Sequence, residues 1–234
     1  MTAEQTPDPD PDVASRRLAA QSLAENDPTG WFEKLYAAAG EGRAVVPWDR
    51  GGAHALLTDW VGTAEPSGAG KRALVVGAGM GWDAELVADL GYDTTAFDIS
   101  PSAVAAARDA HPDTKVEYVV ADLFDPPAHW RGAFDLVVEI YTVQALPIHL
   151  QPAATQQVTA LVRVGGTLLV IAAARDEVDG VEIADEVVEG PPWPLTRAAI
   201  DAFATGDVRL IQLDKQPSPS DPALYRWRAE YLRD

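Results

Sequence analysis

Residues 74–85 read LVVGAGMGWDAE, an apolar run that breaks at Gly77, Gly79 and Gly81 and then restarts as a helix. A glycine loop between a parallel strand and a helix is how many α/β proteins hold a nucleotide, because the loop lets the ligand approach the backbone amides closely. The stretch therefore predicts an α/β fold with a nucleotide site at this loop.

The spacing of the glycines separates two kinds of nucleotide. A redox-dinucleotide loop follows G-x-G-x-x-G, in which the third glycine allows the helix to pack closely on the strand. Counted from Gly77, that third position is 82, and it holds Trp82. The glycines fall instead at 77, 79 and 81, which disfavours an NAD-dependent oxidoreductase without removing it as the alternative.

Strands and helices alternate along the rest of the chain. After the glycine-loop strand, the segments DTTAFDIS, KVEYVVADLF, AFDLVVEIYT and TLLVIAAA are predicted strands, and PAATQQVTALVRVGG and PLTRAAIDAFATG are predicted helices. Such alternation with right-handed crossovers predicts a doubly wound, mostly parallel sheet. The closing segments DVRLIQLDK and LYRWRAEYL have only a short turn between them, which favours an antiparallel hairpin at one sheet edge.

The chain divides into a tail, a helical cap and a core. Residues 1–12 alternate proline with acid, which predicts a disordered acidic tail. Residues 13–66 carry helical apolar spacing and predict an N-terminal cap, and residues 71–234 form the α/β core. Together, residues 13–234 are expected to form one domain.

Composition limits the partners. The 18 Lys and Arg stand against 36 Asp and Glu, a formal charge of −18, which disfavours nucleic acid and anionic membranes. No apolar stretch approaches the roughly 18 residues of a membrane span, and no leader is recognised, so we expect a cytoplasmic protein. Cysteine is absent, which excludes disulfide bonds, zinc sites made of cysteine thiolates and a cysteine nucleophile. A small molecule is the expected partner, and the chain is expected to be a monomer or homodimer.

Two acids follow the glycine loop at strand ends. Asp98 ends the second predicted strand, where a carboxylate can accept hydrogen bonds from a ribose diol. Asp122 ends the third, followed by Leu123, where a carboxylate can bind an adenine amino group beside an apolar side chain. A loop for a ribosyl amino acid together with these two acids describes S-adenosylmethionine. Capping roles for both aspartates are the structural alternatives.

The pattern VVGAGMG, FDIS, VVADLF, AFDLVVE and VGGTLLV resembles, in order and spacing, the class I S-adenosylmethionine-dependent methyltransferases over roughly residues 71–174. The resemblance implies a Rossmann-like sheet of seven strands whose last strand is antiparallel. A non-catalytic protein that binds the donor remains a further possibility. The donor-binding residues that the resemblance and the pattern suggest are Gly77, Ala78, Gly79, Asp98, Ile99, Asp122 and Leu123.

Two further stretches, VVPWDRGGAHALL at 45–57 and EGPPWPLTRAAIDAF at 189–203, resemble the thiopurine S-methyltransferase-like branch, which includes small-thiol and halide methyltransferases. The resemblance implies that the first stretch covers the donor. There Trp48 is expected near the sulfonium, where a cation–π contact contributes about 0.5–2 kcal/mol. The resemblance favours thiol or halide acceptors. Gly52-Ala53-His54 departs from the branch pattern, so hydroxyl and amine acceptors stay open.

Methyl transfer is an in-line displacement at an activated carbon, so the protein must chiefly align the reactants and exclude water. The carboxyl end of the fourth strand is expected to face the methyl group, which makes Glu139, Tyr141 and Gln144 the catalytic candidates. Tyr141 would orient the nucleophile, and Glu139 would bind the donor or act as base. In the structural alternative, Tyr141 packs and Glu139 pairs with a helix N-terminus.

The remaining candidates belong to the acceptor and to metal binding. Trp31, His54 and Trp193 are expected near the acceptor together with Tyr141. The acidic run RDEVDG at 175–180 is interpreted as a solvated lid, with Trp193 closing over the pocket. We expect no metal, because a magnesium site needs several converging oxygens and only Glu139 would join this run.

Overall fold

A computed structural model describes residues 11–178, 181–185, 190–218 and 221–234 of the chain. The helices are α1 (Pro11–Ala24), α2 (Gly30–Gly40), α3 (Ala55–Ala64), α4 (Trp82–Asp89), α5 (Pro101–Ala110), α6 (Gln151–Leu161) and α7 (Arg197–Asp201). The strands are β1 (Arg72–Val76), β2 (Asp93–Asp98), β3 (Glu117–Val120), β4 (Phe134–Ile140), β5 (Val162–Ala173), β6 (Glu177–Val178), β7 (Val181–Glu182), β8 (Val208–Ser218) and β9 (Asp221–Arg233).

The main sheet confirms the predicted fold class. Its seven strands lie in the order β3-β2-β1-β4-β5-β9-β8, and β1 to β5 pair in parallel. The last strand, β9, inserts between β5 and β8 and is antiparallel to both. Because β9 runs against β5, its first residues reach the carboxyl edge of the parallel strands, where Arg226 pairs with Ala173.

Apolar layers cover both faces of the sheet, as expected for parallel strands buried on two sides. Along β4, Val137 packs in the layer beneath α6, whereas Val138 packs in the layer on the side of α3 and α4. This alternation follows the two-residue period of a strand and fixes which side chains near the carboxyl edge can face a ligand.

The predicted N-terminal cap is formed by α1, α2 and α3. Trp31 and Leu35 of α2 are fully buried against α1. The Glu33 carboxylate accepts hydrogen bonds from the hydroxyls of Ser100 and Ser102 and from the Ser102 amide, so it holds α2 against the N-terminus of α5. The negative charge of Glu33 is favourable there because helix N-termini present unpaired amides and positive potential.

Several predicted boundaries differ from the structure. The segment predicted as a long helix after 193 contains α7, which has only five residues. The helix predicted to run to the glycines at 165–166 ends at Leu161, because Val162 already pairs with Phe134 as part of β5. Residues 1–10 of the predicted tail lie outside the described residues, and α1 begins at Pro11. Within the described ranges, no helix has the length and apolarity that crossing a bilayer would require.

Candidate functional site

A cavity of about 280 Å³ lies between the cap and the carboxyl edge of the sheet. Its walls come from α2, the loop before α3, the residues that follow β1 to β4, the end of β5, and Pro191 and Pro192. A smaller cavity of about 70 Å³ lies between the glycine loop and residues 48–54. The position agrees with the rule that open α/β sheets bind ligands beyond the carboxyl ends of their strands.

The glycine loop requires glycine for two reasons. Gly77 and Gly79 have φ values of +66° and +53°, which side chains rarely adopt. A Cβ at Gly77 would lie 2.2 Å from the Thr142 hydroxyl oxygen, and one at Gly79 would lie 2.9 Å from the Tyr36 hydroxyl. The backbone at this loop is therefore closely packed beneath the cap, with Gly77 lining both cavities.

Asp98 and Asp122 lie at the strand ends where the sequence predicts them, and both line the larger cavity. The Asp98 carboxylate accepts hydrogen bonds from the amides of Gly79 at 3.0 Å and Ser100 at 2.9 Å. Burial raises the pKa of Asp98, although these amide bonds oppose the shift. Asp122 is exposed and accepts a bond from the Phe124 amide at 2.8 Å. Each aspartate thus has a local capping role and also faces the cavity.

Apolar groups beside the two aspartates complete this end of the cavity. Ile99 and Leu123 line it, and Leu123 is buried. Ala78 lines the smaller cavity, and its amide donates to the Phe97 carbonyl at 2.8 Å. The structure therefore brings all the predicted donor-binding residues around the two cavities except Glu139.

Trp48 belongs to an aromatic cluster above the glycine loop. Its indole N–H donates to the Tyr36 hydroxyl at 2.7 Å, and its ring lies 6.0 Å from Trp31 and 6.5 Å from Phe32, centre to centre. All four residues line the larger cavity, on whose wall Trp48 and Trp31 stay the predicted contacts of donor and acceptor. Burial raises the pKa of the Tyr36 hydroxyl, with the Asp98 charge adding to the effect.

The loop that carries Trp48 is fixed to the start of α4. Asp49 accepts hydrogen bonds from the Trp82 indole at 3.0 Å and from the Gly51 amide at 3.1 Å. Asp83 accepts from the His54 amide at 2.7 Å, and burial raises the pKa of Asp83 to about 6. Trp82, which replaces a glycine of the redox-dinucleotide motif, thus serves to anchor the covering loop.

Tyr141 lies at the other end of the cavity, directly after β4. It has a φ of +64°, and its hydroxyl oxygen lies 2.9 Å from His54 Nε2 and 2.8 Å from Arg226 Nε. The Leu56 amide donates to His54 Nδ1 at 3.1 Å, which caps α3. Burial, with the charges of Arg50 and Arg226, lowers the pKa of His54 to about 4, so the ring is neutral at pH 7.

Gln144 also lies at this end, as predicted. It is buried, lines the cavity, and its side-chain oxygen accepts a hydrogen bond from the Ala173 amide. This bond links the turn after β4 to the end of β5. Gln144 and Tyr141 are thereby held on the same wall of the cavity.

Two predicted site residues do not reach the cavities. Glu139 is fully buried on the α6 face of β4, where one oxygen accepts from the amides of Thr142 and Val143 and the other has no partner among the described residues. Trp193 is buried behind the prolines that do line the wall, and its ring packs against Gly190. Both predictions were wrong because a nearby position in sequence does not fix the direction of a side chain.

The run at 175–180 that is interpreted as a solvated lid begins with a residue that is not solvated, whereas Asp176 is exposed. Arg175 is buried, forms an ion pair with Asp185, and donates to the carbonyls of Ile183 and Pro194. Residues 179–180 lie outside the described residues. Within the described part of the chain, no group of three or more histidine, cysteine, aspartate or glutamate residues is arranged to hold a metal ion.

Three residues of the site escaped the sequence analysis. Tyr36 follows Trp31 and Phe32 on α2, and this spacing of aromatics was the available signal. Arg50 directly follows the Trp48-Asp49 pair and borders both cavities. Arg226 carries no local signal, because it reaches the site only through the antiparallel insertion of β9.

Comparison with known proteins places the chain beside methyltransferases. A family model described as a methyltransferase domain matches residues 73–166. A probable thiol methyltransferase 2 from Arabidopsis thaliana is 28% identical over 190 residues, covering 78% of this chain and 74% of that one. A thiocyanate methyltransferase 1 from the same plant is 32% identical over 134 residues, covering 54% and 56%.

A third relative and a solved structure extend the comparison. A ubiquinone biosynthesis O-methyltransferase from Xanthomonas campestris is 35% identical over 101 residues, covering 42% of this chain and 41% of that one. The N-methyltransferase NodS from Bradyrhizobium japonicum, solved with S-adenosyl-L-homocysteine, has a TM-score of 0.56 at 17% identity and covers 76% of this chain and 84% of that one. The structural likeness concerns the fold.

Proposed function

We propose that this chain is a class I S-adenosylmethionine-dependent methyltransferase that transfers the methyl group of its donor to a small thiol or a halide. The match to a methyltransferase domain and the likeness to a probable thiol methyltransferase support this proposal. The likeness to methyltransferases and the presence of Trp82 in place of the third glycine both disfavour the NAD-dependent alternative. When bound, S-adenosylmethionine supplies a methyl group already activated by a sulfonium. The protein then has to hold the donor, align the acceptor and exclude water.

The residues around the larger cavity fit the adenosyl part of the donor. The glycine loop borders both cavities, and a Cβ at 77 or 79 would collide with Thr142 or Tyr36. Asp98 is assigned to the ribose hydroxyls and Asp122 to the adenine amino group, with Ile99 and Leu123 against the ring. Their common location on the cavity wall supports these assignments.

The smaller cavity suits the amino-acid end of the donor. Arg50 lines it together with Asp49 and Asp83, so it offers one positive and two negative side chains to a zwitterion. Asp49 already accepts bonds from Trp82 and Gly51. The loop amides around Gly79 add hydrogen-bond donors. We assign Arg50 to the carboxylate and Asp83 to the ammonium group.

The observation that carries the choice of acceptor is that both ring nitrogens of His54 are already hydrogen-bonded. Its Nδ1 accepts from a backbone amide and its Nε2 is bonded to Tyr141, so neither nitrogen is free to take a proton from an acceptor. Glu139, the other predicted base, faces away from the cavity. Thiolates and halides need no base near neutral pH, whereas phenols and amines benefit from one.

The names of the two plant relatives support the same choice, since one is a probable thiol and the other a thiocyanate methyltransferase. The small size of the cavity supports a small-molecule acceptor. Trp48, Trp31 and Tyr36 are assigned to closing the site against water.

The proposal is tested with methyl-labelled donor and a panel of acceptors. The panel contains hydrosulfide, thiocyanate, iodide and small thiols, and, as the contrasting set, phenols and primary amines. We expect label in methyl thioethers, methyl thiocyanate or methyl iodide at rates at least tenfold above the phenols and amines. Preferential labelling of phenols or amines would contradict the proposal, and donor binding without any turnover would favour a non-catalytic role.

A further inference from the structure

We infer that Tyr141 and Arg226 form a recognition site for the acceptor as a preformed anion, with His54 as the positioning residue that aims the Tyr141 hydroxyl hydrogen into the cavity. The inference rests on the proposed function and deepens it. It specifies that the acceptor binds in its anionic form, and it names the side chains that hold it. Gln144 supplies a further donor on the same wall.

The hydrogen-bond geometry at Tyr141 fixes the direction of its proton. The Leu56 amide donates to His54 Nδ1, so the neutral ring carries its hydrogen on Nε2 and donates it to the Tyr141 oxygen. Arg226 Nε, which is always a donor, gives the same oxygen a second bond. Both acceptor positions of the phenol oxygen are then used, and its hydroxyl hydrogen has no acceptor among the described residues.

Arg226 contributes a charge as well as a donor. Its Nη1 donates to the Tyr225 carbonyl at 2.9 Å, while Nη2 has no partner in the described part of the chain. The side chain is half-buried and lines the cavity. The Gln144 amide nitrogen likewise has no partner in the described residues, because its hydrogen bond to Ala173 uses the oxygen. Donors therefore converge on this end of the cavity.

The charges along the cavity are segregated. Asp98 and Asp122 stand at the ends of β2 and β3, whereas Arg226 is on β9, four strand positions beyond β2, or roughly 19 Å at 4.8 Å per strand. Arg50 borders both cavities, and Asp12, the remaining carboxylate on the wall, pairs with Arg16. A positive end in a cavity of a chain with charge −18 favours an anionic occupant.

The chemistry then balances without a protein base. A thiol loses its proton to solvent before it binds, and its sulfur lone pair forms the new carbon–sulfur bond. The sulfonium carbon–sulfur bond breaks with its electron pair left on the donor's sulfur. The product is a neutral thioether, which no longer matches the positive end of the cavity.

The test measures thiocyanate binding to the protein saturated with S-adenosylhomocysteine, by isothermal titration calorimetry. We expect Arg226→Gln to weaken thiocyanate about tenfold or more, and Tyr141→Phe about three- to tenfold, because charge-assisted and hydrogen-bonding donors are removed. In Arg226→Gln, affinity for S-adenosylhomocysteine should stay within about twofold of wild type, because Arg226 does not line the smaller cavity that is assigned to the amino-acid end of the donor. Arg228→Gln is the matched control: it removes the same charge two residues along β9, where Arg228 pairs with Asp214.

His54 is tested with His54→Asn, since asparagine still accepts the Leu56 amide bond and caps α3 but offers no Nε2–H to Tyr141. We expect the KM for thiocyanate to rise at least about threefold with kcat within about twofold of wild type. A merely structural role would change donor affinity or stability instead. For thiol acceptors, wild-type kcat/KM should follow the ionised fraction of the acceptor, and for thiocyanate it should stay flat with pH.

Unchanged thiocyanate affinity in both Arg226→Gln and Tyr141→Phe would overturn the inference. Loss of S-adenosylhomocysteine affinity in a folded Arg226→Gln protein would do the same, because it would assign the arginine to the donor. Should that variant not fold, Arg226→Lys, which keeps the charge but not the Nε bond, must still weaken thiocyanate. The proposed function fails separately: wild type would then bind thiocyanate through Arg226 yet methylate no thiol or halide.

Discussion

Trp48 donates its indole N–H to the hydroxyl of Tyr36 over 2.7 Å, and this bond joins the loop before α3 to helix α2. The pair lies directly above the glycine loop, because a Cβ at Gly79 would meet the Tyr36 oxygen at 2.9 Å and the Trp48 nitrogen at 3.6 Å. The cap therefore touches the part of the sheet that is assigned to the donor. Binding of the donor and closure of the cap should be linked.

Tyr36→Phe tests that link. The change leaves the Trp48 indole N–H without its acceptor in a buried cluster, which costs on the order of 1 kcal/mol. We expect affinity for S-adenosylhomocysteine to fall about fivefold, measured by calorimetry, with a modest loss of thermal stability. Tyr92→Phe, which removes the hydroxyl of a buried tyrosine that lines neither cavity, is the control and should leave affinity unchanged. Equal effects of the two variants would contradict a role for the bond.

Gly77→Ala is expected to abolish donor binding. It forces a side chain into φ +66° and places its Cβ 2.2 Å from the Thr142 hydroxyl oxygen. Gly165→Ala has a similar φ of +76°, but its Cβ meets nothing within 4 Å. The substitution should therefore lower the free energy of unfolding only through backbone strain, by about 1 kcal/mol. We expect Gly165→Ala to lower the melting temperature slightly and to bind S-adenosylhomocysteine normally. Normal binding by Gly77→Ala would show that the loop does not hold the donor as proposed.

The features of the fold and the site that the sequence predicts correctly are those specified by short local patterns. The alternation of strands and helices, the glycine loop, and the strand-end aspartates Asp98 and Asp122 each depend on a few neighbouring residues and on one topological rule. The antiparallel hairpin followed from the short turn before β9. These features are confirmed because nothing distant is needed to specify them.

The features that the sequence could not predict depend on orientation and distant pairing. Glu139 shares a face of β4 with Val137 and so points beneath α6, whereas Tyr141, just past the strand end, turns into the cavity with φ +64°. Alternate residues of a strand point to opposite faces of the sheet, so the sequence shows which side chains share a face but not which face lies toward the cavity. Arg226 is placed by the register of β9 against β5, which pairs residues more than fifty positions apart.

Asp98→Asn should weaken binding of S-adenosylhomocysteine by about 1–3 kcal/mol, because a charged hydrogen-bond acceptor is lost from the ribose position. Asp122→Asn should cost less, about 1 kcal/mol, since this exposed carboxylate is already solvated. Asp135, which accepts bonds from Arg72 and Arg163 at the start of β4, provides the control carboxylate, and Asp135→Asn should affect stability alone. Calorimetry and thermal melting separate the two effects, and unchanged affinity in Asp98→Asn would discard the ribose assignment.

Glu139 should act on the pH dependence of stability and not on catalysis. Burial raises its pKa from 4.5 to about 7. The unfolded chain ionises this carboxyl above pH 4.5, whereas in the folded protein it stays protonated until about pH 7. The folded state therefore binds the proton more tightly, and its free energy of unfolding falls as the pH rises from about 4.5 to about 7. Replacing Glu139 with Gln removes the charge that must be buried, and the variant should gain roughly 2–3 kcal/mol over wild type at pH 8.

The measurement is the difference in melting temperature between Glu139→Gln and wild type from pH 5 to pH 8. The difference should grow with pH to roughly 5 °C. Asp83 and Asp98, whose pKa values are also raised, are present in both proteins, so their effects largely cancel. Glu117→Gln, which changes an exposed carboxyl on β3, should show no such trend. Because Glu139 faces α6 and not the cavity, kcat of Glu139→Gln should stay within about threefold of wild type, whereas a general base would lose about a hundredfold or more.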